Sequence, residues 1–386
     1  MNGAPKFLTT LNSALSLGSR IHISKTSLSS ILYYITGHGF GHAVRSSRVI
    51  RRLLELRPDL KIHVRTIAPD WLFFDSLSRI THSLQSIDVG IVQRDSLDMD
   101  LDETLAACQA LHDGISQIID REATFIREHD INLIVGDIPP ACFEIASQAK
   151  IPSVAVANFI WSWIYRAFSR NYSGFSPLIS QIESFYSKAT LALTLPYSCG
   201  MEVFPNQEPI PWITRASVVT KKEARSKFEL PESATIVLLS FGGSGLQRLP
   251  WDKFKQLREF FFVVTGKSKK RDGNVLIVPN TQPHYEDLLR AVDVIVTKPG
   301  YGIVADAISH RVPVLYTDRG EFPEYPFLVR ALSDLATAEF IAQEELLSGN
   351  LRAYLNRLLA KEPNWPSVSL DGATVAADLI LTLLDR

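Results

Sequence analysis

Cysteine is scarce in this chain of 386 residues: Cys108, Cys142 and Cys199 occur, and they lie far apart. This excludes a disulfide framework and a zinc site built from cysteines, and it fits a reducing compartment. No apolar run reaches the roughly 20 residues that a membrane-spanning helix needs. Neither sign of charge dominates, because 40 Lys and Arg residues balance 41 Asp and Glu residues. Such a chain lacks the basic excess on which nucleic-acid binding depends.

Acidic residues are missing from the amino-terminal end, where the first is Glu55. Residues 1–30 are also rich in serine and carry basic residues, a composition typical of an organelle transit peptide. The alternatives are an untidy tail or a start codon set too far upstream. We predict a disordered or targeting leader at 1–30 and a cytoplasmic protein, with an organelle as the alternative if the leader is a transit peptide.

Short apolar runs alternate with helical patterns in the rest of the chain. Such runs predict buried parallel strands, and the alternation predicts a doubly wound sheet. In the first half they lie at 31–35, 61–67, 131–135 and 151–156. In the second half they lie at 235–240, 261–264, 275–278, 291–296 and 312–316.

Three prolines between residues 204 and 212 predict an extended linker between the two series. We therefore predict an α/β protein of two Rossmann-like domains, at 31–213 and 214–386. Helices are predicted at 101–128 and at 373–384. A cleft between two such domains is the usual place for a ligand.

Glycine-rich turns follow three of the predicted strands, at 36–42, 241–245 and 297–302. Ligands bind at the carboxyl ends of strands in open α/β sheets, and the start of the next helix suits a phosphate. The first turn is neither a dinucleotide fingerprint, because His42 replaces the last glycine, nor a phosphate loop of the Gly-Lys-Ser/Thr type.

His42 in the first turn and Asp137 after the strand at 131–135 are predicted to meet at one sheet edge. A carboxylate beside an imidazole fixes its tautomer and makes it a general base for a hydroxyl group. The alternatives are a His42 bonded to its own backbone and an Asp137 that caps the next helix. His38 lies in the same turn.

A metal site is the other interpretation of this region. His38 and His42 are possible ligands, and Asp98, Asp100 and Asp102 have the D-x-D spacing that holds a metal under a diphosphate in some nucleotide-sugar enzymes. We favour a solvated acidic helix start for these acids, because carboxylates are stabilised there. We predict no metal requirement.

Residues 33–45 (YYITGHGFGHAVR) and 297–304 (TKPGYGIV), together with 240–243 (SFGG), resemble the GT-B glycosyltransferases. They are more closely similar to the glycosyltransferase-like domain at the amino end of plant arabinokinases and to its free-standing relatives. The resemblance spans about residues 31 to 385 and implies two Rossmann-like domains that face a cleft.

The resemblance implies that His42 is catalytic and that Asp137 orients it. It implies that Asp306 holds the ribose hydroxyls and that Glu321 and Glu324 contact the donor sugar. The donor-binding set as a whole is Gly242, Gly243, Ser244, Lys298, Gly300, Tyr301, Gly302, Asp306, Glu321 and Glu324. The acceptor-side set is His38, Gly39, Gly41 and Trp161. Trp161 and Trp163 could stack on an acceptor, but we favour the alternative that they fill the core.

The activity implied is transfer of a sugar from a nucleotide sugar to an acceptor hydroxyl, with inversion and without a metal or other cofactor. The nucleotide sugar is a co-substrate, the acceptor is unknown, and neither nucleic acid nor a transmembrane segment is expected. Two alternatives stay open: a non-catalytic module that binds nucleotide sugars, and an epimerase or hydrolase that acts on them.

Overall fold

A computed structural model describes residues 29–94, 98–242, 249–281 and 283–386 of the chain. Within these residues the strands form two sheets of seven. The strands of the first sheet are β1 Ser30–Ile35, β2 Lys61–Thr66, β3 Ile80–Leu84, β4 Leu133–Asp137, β5 Ser153–Ala157, β6 Leu191–Thr194 and β7 Gln207–Pro209. Those of the second are β8 Thr235–Ser240, β9 Phe260–Gly266, β10 Lys270–Asp272, β11 Val275–Pro279, β12 Val294–Thr297, β13 Val314–Tyr316 and β14 Ala338–Phe340.

Helices connect these strands and cover the sheets. Those before the second sheet are α1 Phe40–Leu56, α2 Leu101–Asp113, α3 Ile115–Glu128, α4 Ala141–Ala149, α5 Trp161–Phe168, α6 Phe175–Tyr186 and α7 Lys221–Lys227. The others are α8 Trp251–Gln256, α9 Tyr285–Ala291, α10 Tyr301–His310, α11 Tyr325–Leu335, α12 Gln343–Ser348, α13 Arg352–Leu359 and α14 Gly372–Leu384. None of the described helices is long and apolar enough to cross a membrane.

The strand orders explain where a ligand can bind. The first sheet runs β3-β2-β1-β4-β5-β6-β7, with every pairing parallel. The second runs β10-β11-β9-β8-β12-β13-β14 and is parallel except for β10. The order reverses between β1 and β4 in one sheet and between β8 and β12 in the other. Crevices for ligands open at such reversals, at the carboxyl ends of the strands.

The central strands are buried on both faces, as their unbroken apolar sequences require. All residues of β1, β4 and β5 are buried. The α/β class and the two doubly wound sheets are therefore confirmed, and each strand that the sequence predicts has a counterpart. The predicted helical region 101–128 is two helices, α2 and α3, and the last helix lies where it was predicted.

Part of the predicted linker at 204–212 is a β-strand. It contains β7, which pairs with β6 as the edge strand of the first sheet. Pro209 ends this strand, as the missing N–H of proline permits at a sheet edge. The last helix, α14, packs on α1 of the first half. The boundary at residue 213 stays a prediction, and the predicted leader lies outside the described residues except for its last two positions.

Candidate active site

The candidate site lies where β1 and β4 end side by side. Ile35, the last residue of β1, pairs with Asp137, the last residue of β4. His42 follows in the first turn of α1 and is buried. Its Nδ1 atom lies 2.8 Å from Oδ1 of Asp137. The contact that the sequence predicts is therefore present, because neighbouring strands deliver both groups to one edge.

Asp137 is fully buried and has three side-chain partners. Besides His42, Arg45 donates from Nε to Oδ2 over 2.7 Å, and Ser46 donates from Oγ to Oδ2 over 2.8 Å. Burial raises the pKa of a carboxyl group, but the charges of Arg45 and His42 outweigh it and lower the pKa of Asp137 to about 2. The carboxylate is ionised at neutral pH and can hold a proton on Nδ1 of His42, which leaves Nε2 free to accept one.

Arg45 is a site residue that sequence reasoning missed. It lies three positions after His42 on α1, so the two side chains share one face of the helix, which was the available signal. Nη2 donates to Oδ1 of Asp137 and lies 3.0 Å from Nδ1 of His42. Nη1 donates to Oδ1 of Asn158, the residue after β5. The guanidinium also lies 5.5 Å from the ring centre of Tyr301.

Glu324 and Glu321 lie in different surroundings. Glu324 is buried: its Oε1 accepts from Nδ2 of Asn158 over 2.5 Å and its Oε2 accepts from Nη1 of Arg319 over 3.0 Å. Glu321 is exposed. The expectation that both acids face a donor sugar needs correction for Glu324, since protein donors occupy both of its oxygens.

The glycine turn at the start of α10 meets the turn at the start of α1. A Cβ atom added to Gly302 would lie 3.7 Å from Cα of Gly41, and at Gly300 it would meet nothing within 4 Å. Tyr301 stacks on Trp212 with ring centres 4.9 Å apart. The start of α10, with its free N–H groups, therefore lies against the turn at the start of α1, and these glycines place no side chain between the two.

Three residues in or near the segments that form the carboxyl edge of the second sheet carry buried polar atoms without a hydrogen-bond partner. Among the described residues, Oη of Tyr301, Oγ1 of Thr317 and Nε of Arg319 are such atoms. Buried donors of this kind normally have a partner, so they suit an oxygen-rich ligand. Lys298 is partly exposed at the end of β12. Gly242, with a φ of 78°, follows β8, whereas Gly243 and Ser244 lie outside the described residues.

Asp306 already has a partner in the protein. Nε of Arg215 donates to its Oδ2 over 3.0 Å, Nη2 donates to the same oxygen, and the backbone N–H of Arg215 reaches Oδ1 over 3.3 Å. Both side chains are nearly buried. The sequence did not predict this ion pair, which competes with the expected contact between Asp306 and a ribose.

Trp161 is not an open stacking surface. Its side chain is 1% exposed, its Nε1 donates to Oδ2 of Asp88 over 2.9 Å, and its ring contacts His38 and Phe159. Trp161 is therefore a core residue, as favoured from the sequence, and it offers no open face to an acceptor. A small, largely apolar pocket lies behind it, between α2, α5 and α6.

His38 lies beside this core, and Gly39 precedes α1 with a φ of 69°. The backbone N–H of Ile91 donates to Nδ1 of His38 over 3.3 Å, so the proton of the neutral ring is on Nε2. Burial, and then the charge of Arg319, hold the pKa of His38 well below its usual value. At neutral pH His38 is thus an uncharged hydrogen-bond donor.

The D-x-D acids form a helix start, as favoured from the sequence. Asp100 caps α2 by accepting from the backbone N–H of Glu103 over 3.0 Å, and it pairs with Arg94. Among the residues described, no three His, Cys, Asp or Glu side chains are grouped as metal ligands would be. Metal independence stays a prediction.

The geometry agrees with comparisons to known proteins. Residues 29–199 match the family model described as glycosyl transferase family 1. Solved structures that align with the chain include the glycosyltransferase of kitacinnamycin, at 14% identity, covering 93% of this chain and 95% of the other with a TM-score of 0.61. The chain has the GT-B glycosyltransferase fold.

Two further GT-B structures and one curated relative extend this comparison. MurG of Acinetobacter baumannii aligns at 14% identity over 92% of this chain and 99% of its own, with a TM-score of 0.53. UGT89C1 of Arabidopsis thaliana, solved with UDP, aligns at 13% identity over 92% of this chain and 100% of its own, with a TM-score of 0.55. L-arabinokinase of Arabidopsis thaliana is 29% identical over 363 residues, which are 90% of this chain and 34% of that protein.

The resemblance expected from the sequence is thus confirmed, both for the GT-B group and for arabinokinase. The chain spans about a third of the length of the arabinokinase that it matches. The family model covers the half that carries His42 and Asp137.

Proposed function

We propose that this chain is a glycosyltransferase that moves a sugar from a nucleotide sugar to an acceptor hydroxyl, with His42 as general base. The observation that carries the proposal is the contact between His42 and the buried, ionised Asp137 at the mouth of the first sheet. It is supported by the closeness of the turn that carries His42 to the start of α10, where a Cβ atom on Gly302 would lie 3.7 Å from Cα of Gly41.

The donor diphosphate would lie at the start of α10, where free backbone N–H groups and the helix dipole stabilise negative charge. The unpartnered donor atoms of Tyr301, Thr317 and Arg319 would be its side-chain partners. UGT89C1, which shares the fold, was solved with UDP, and this supports a nucleoside diphosphate as the carrier here. The positive charges of Arg319 and Lys298 favour departure of the diphosphate without a metal ion.

The reaction would run as one displacement. Nε2 of His42 takes the proton of the acceptor hydroxyl while its oxygen forms a bond to the anomeric carbon. The bond from that carbon to the diphosphate oxygen breaks, and its electron pair leaves with the diphosphate. Attack from the face opposite the leaving group inverts the anomeric centre. Asp137 stabilises the imidazolium that forms on His42.

Incubation with a panel of nucleotide sugars tests this function. Release of nucleoside diphosphate that requires an acceptor supports transfer, and a product of inverted configuration supports the displacement. Release at the same rate without any acceptor indicates a hydrolase. Saturable binding without release indicates a non-catalytic module, and either result contradicts the proposal.

A further inference from the structure

A buried polar chain joins the two halves of the molecule. It runs from His42 through Asp137, Arg45, Asn158 and Glu324 to Arg319. The distance is 2.8 Å from Nδ1 of His42 to Oδ1 of Asp137 and 2.7 Å from Nε of Arg45 to Oδ2 of Asp137. From Nη1 of Arg319 to Oε2 of Glu324 it is 3.0 Å. This row of hydrogen bonds therefore connects the proposed base to the loop between β13 and α11.

Asn158 is the residue through which these hydrogen bonds cross from the first half to the second. Its Oδ1 accepts from Nη1 of Arg45, and its Nδ2 donates to Oε1 of Glu324 over 2.5 Å. The side chain is buried, and its own backbone C=O is held by the N–H of Cys199 over 2.9 Å. A carboxamide suits this place because it presents one acceptor and one donor group in fixed directions.

The loop that Asn158 reaches also carries Arg319 and Phe322. Arg319 pairs with Glu324 and lies over the ring of Phe322, 3.9 Å from its centre. Phe322 in turn stacks with His38 of the first half, with ring centres 6.0 Å apart. A shift of Glu324 would therefore move Arg319, which is proposed to contact the donor, and the ring of Phe322 that packs against it.

We propose that Asn158 is a positioning residue that holds the loop carrying Arg319 and Glu324 in register with the His42–Asp137 dyad. It acts through Arg45 on one side and Glu324 on the other. This inference rests on the proposed function, since register matters only if a sugar held by one half must meet a base held by the other. Small errors in such alignment reduce turnover strongly.

The amide of Asn158 and the carboxylate of Glu324 can be swapped between the two positions by mutation. Asn158→Asp keeps the acceptor for Arg45 but sets two carboxylates against each other in a buried place, which is unfavourable. Adding Glu324→Gln restores one carboxylate and one amide across the same contact, with the two groups swapped and the total charge unchanged. A role in register therefore predicts that the second change repairs the first.

The experiment measures kcat and the donor KM for the wild type, N158D, E324Q and the double variant. We expect N158D to lower kcat by about tenfold to a hundredfold, and the double variant to recover to within about tenfold of the wild type. Asn274→Asp is the matched control, since the Nδ2 atom of Asn274 donates only to backbone carbonyls, those of Phe254, Leu257 and Phe260. It should lower the free energy of unfolding and leave kcat unchanged.

The proposal is overturned if the wild type is active and N158D has an unaltered kcat, or if the folded double variant is no better than N158D. A kcat loss in N274D as large as in N158D also overturns it, since stability alone would then explain both. If N158D does not fold, the inference is tested on the double variant. A folded double variant with less than a tenth of the wild-type kcat contradicts it. A wild type without turnover contradicts the proposed function itself.

Discussion

Gly41 and Gly302 lie opposite each other where the two halves meet, with 3.7 Å between Cα of the first and the place of a Cβ atom on the second. Each belongs to the first turn of its helix, α1 or α10. The turn with His42 and the turn proposed to hold the diphosphate therefore open toward one junction. This is the arrangement that a transfer between the two halves requires.

Gly302 should tolerate a methyl group but not a larger side chain. We expect Gly302→Ala to keep kcat/KM near the wild-type value, because 3.7 Å is an ordinary contact distance. Gly302→Leu should lower kcat/KM by about tenfold or more, because its side chain would separate the turns or block the helix start. Steady-state kinetics with the preferred donor checks this. Equal kinetics for both variants would show that the junction is not the site.

The charge of Asp137 should make stability depend on acid pH. Its pKa is about 2 in the folded protein against an ordinary value of 3.8, so the carboxylate stabilises the fold above pH 3.8. That contribution, about 2 kcal/mol, is lost as the pH falls through the folded pKa near 2. Urea unfolding of the wild type and Asp137→Asn at several pH values between 6 and 2.5 measures it. The variant should lose less stability over this range, and parallel curves would contradict the shift.

The ion pair between Arg215 and Asp306 should be structural. We expect Asp306→Leu to lower the free energy of unfolding by about 3–5 kcal/mol, because it leaves a nearly buried guanidinium unpaired. Adding Arg215→Met should restore most of that loss, since the pair is then replaced by apolar groups. Urea unfolding of the two single variants and the double variant gives the coupling. Losses that simply add would mean that the two residues do not interact.

The pairing of His42 with Asp137 could be predicted from the sequence because it depends only on the order of the strands. His42 and Asp137 follow neighbouring parallel strands, so their meeting depends on strand order and not on side-chain packing. The edge strands β3, β7, β10 and β14 and the neighbouring β6 were missed because they are short and lack the unbroken apolar runs of the central strands. Their pairing depends on a sheet that is already formed.

The partners of the site residues could not be predicted in the same way. Arg45 shares a helix face with His42, yet no nearby sequence pattern indicates that it binds Asp137. The pairing of Asn158 with Glu324 joins residues 166 positions apart. Arg215 and Asp306 are 91 positions apart. Such contacts, like the burial of Trp161, depend on tertiary packing within a half or between the halves, which the periodicity of the sequence does not contain.

Replacement of His42 by alanine tests the central claim most directly. With the matched control His129→Ala, an exposed histidine at the end of α3, transfer is measured for both variants with the donor and acceptor that the wild type uses. The account predicts that H42A folds, still binds nucleoside diphosphate and loses about a hundredfold to ten-thousandfold in kcat, while H129A keeps wild-type turnover. Wild-type turnover in a folded H42A protein would contradict the account.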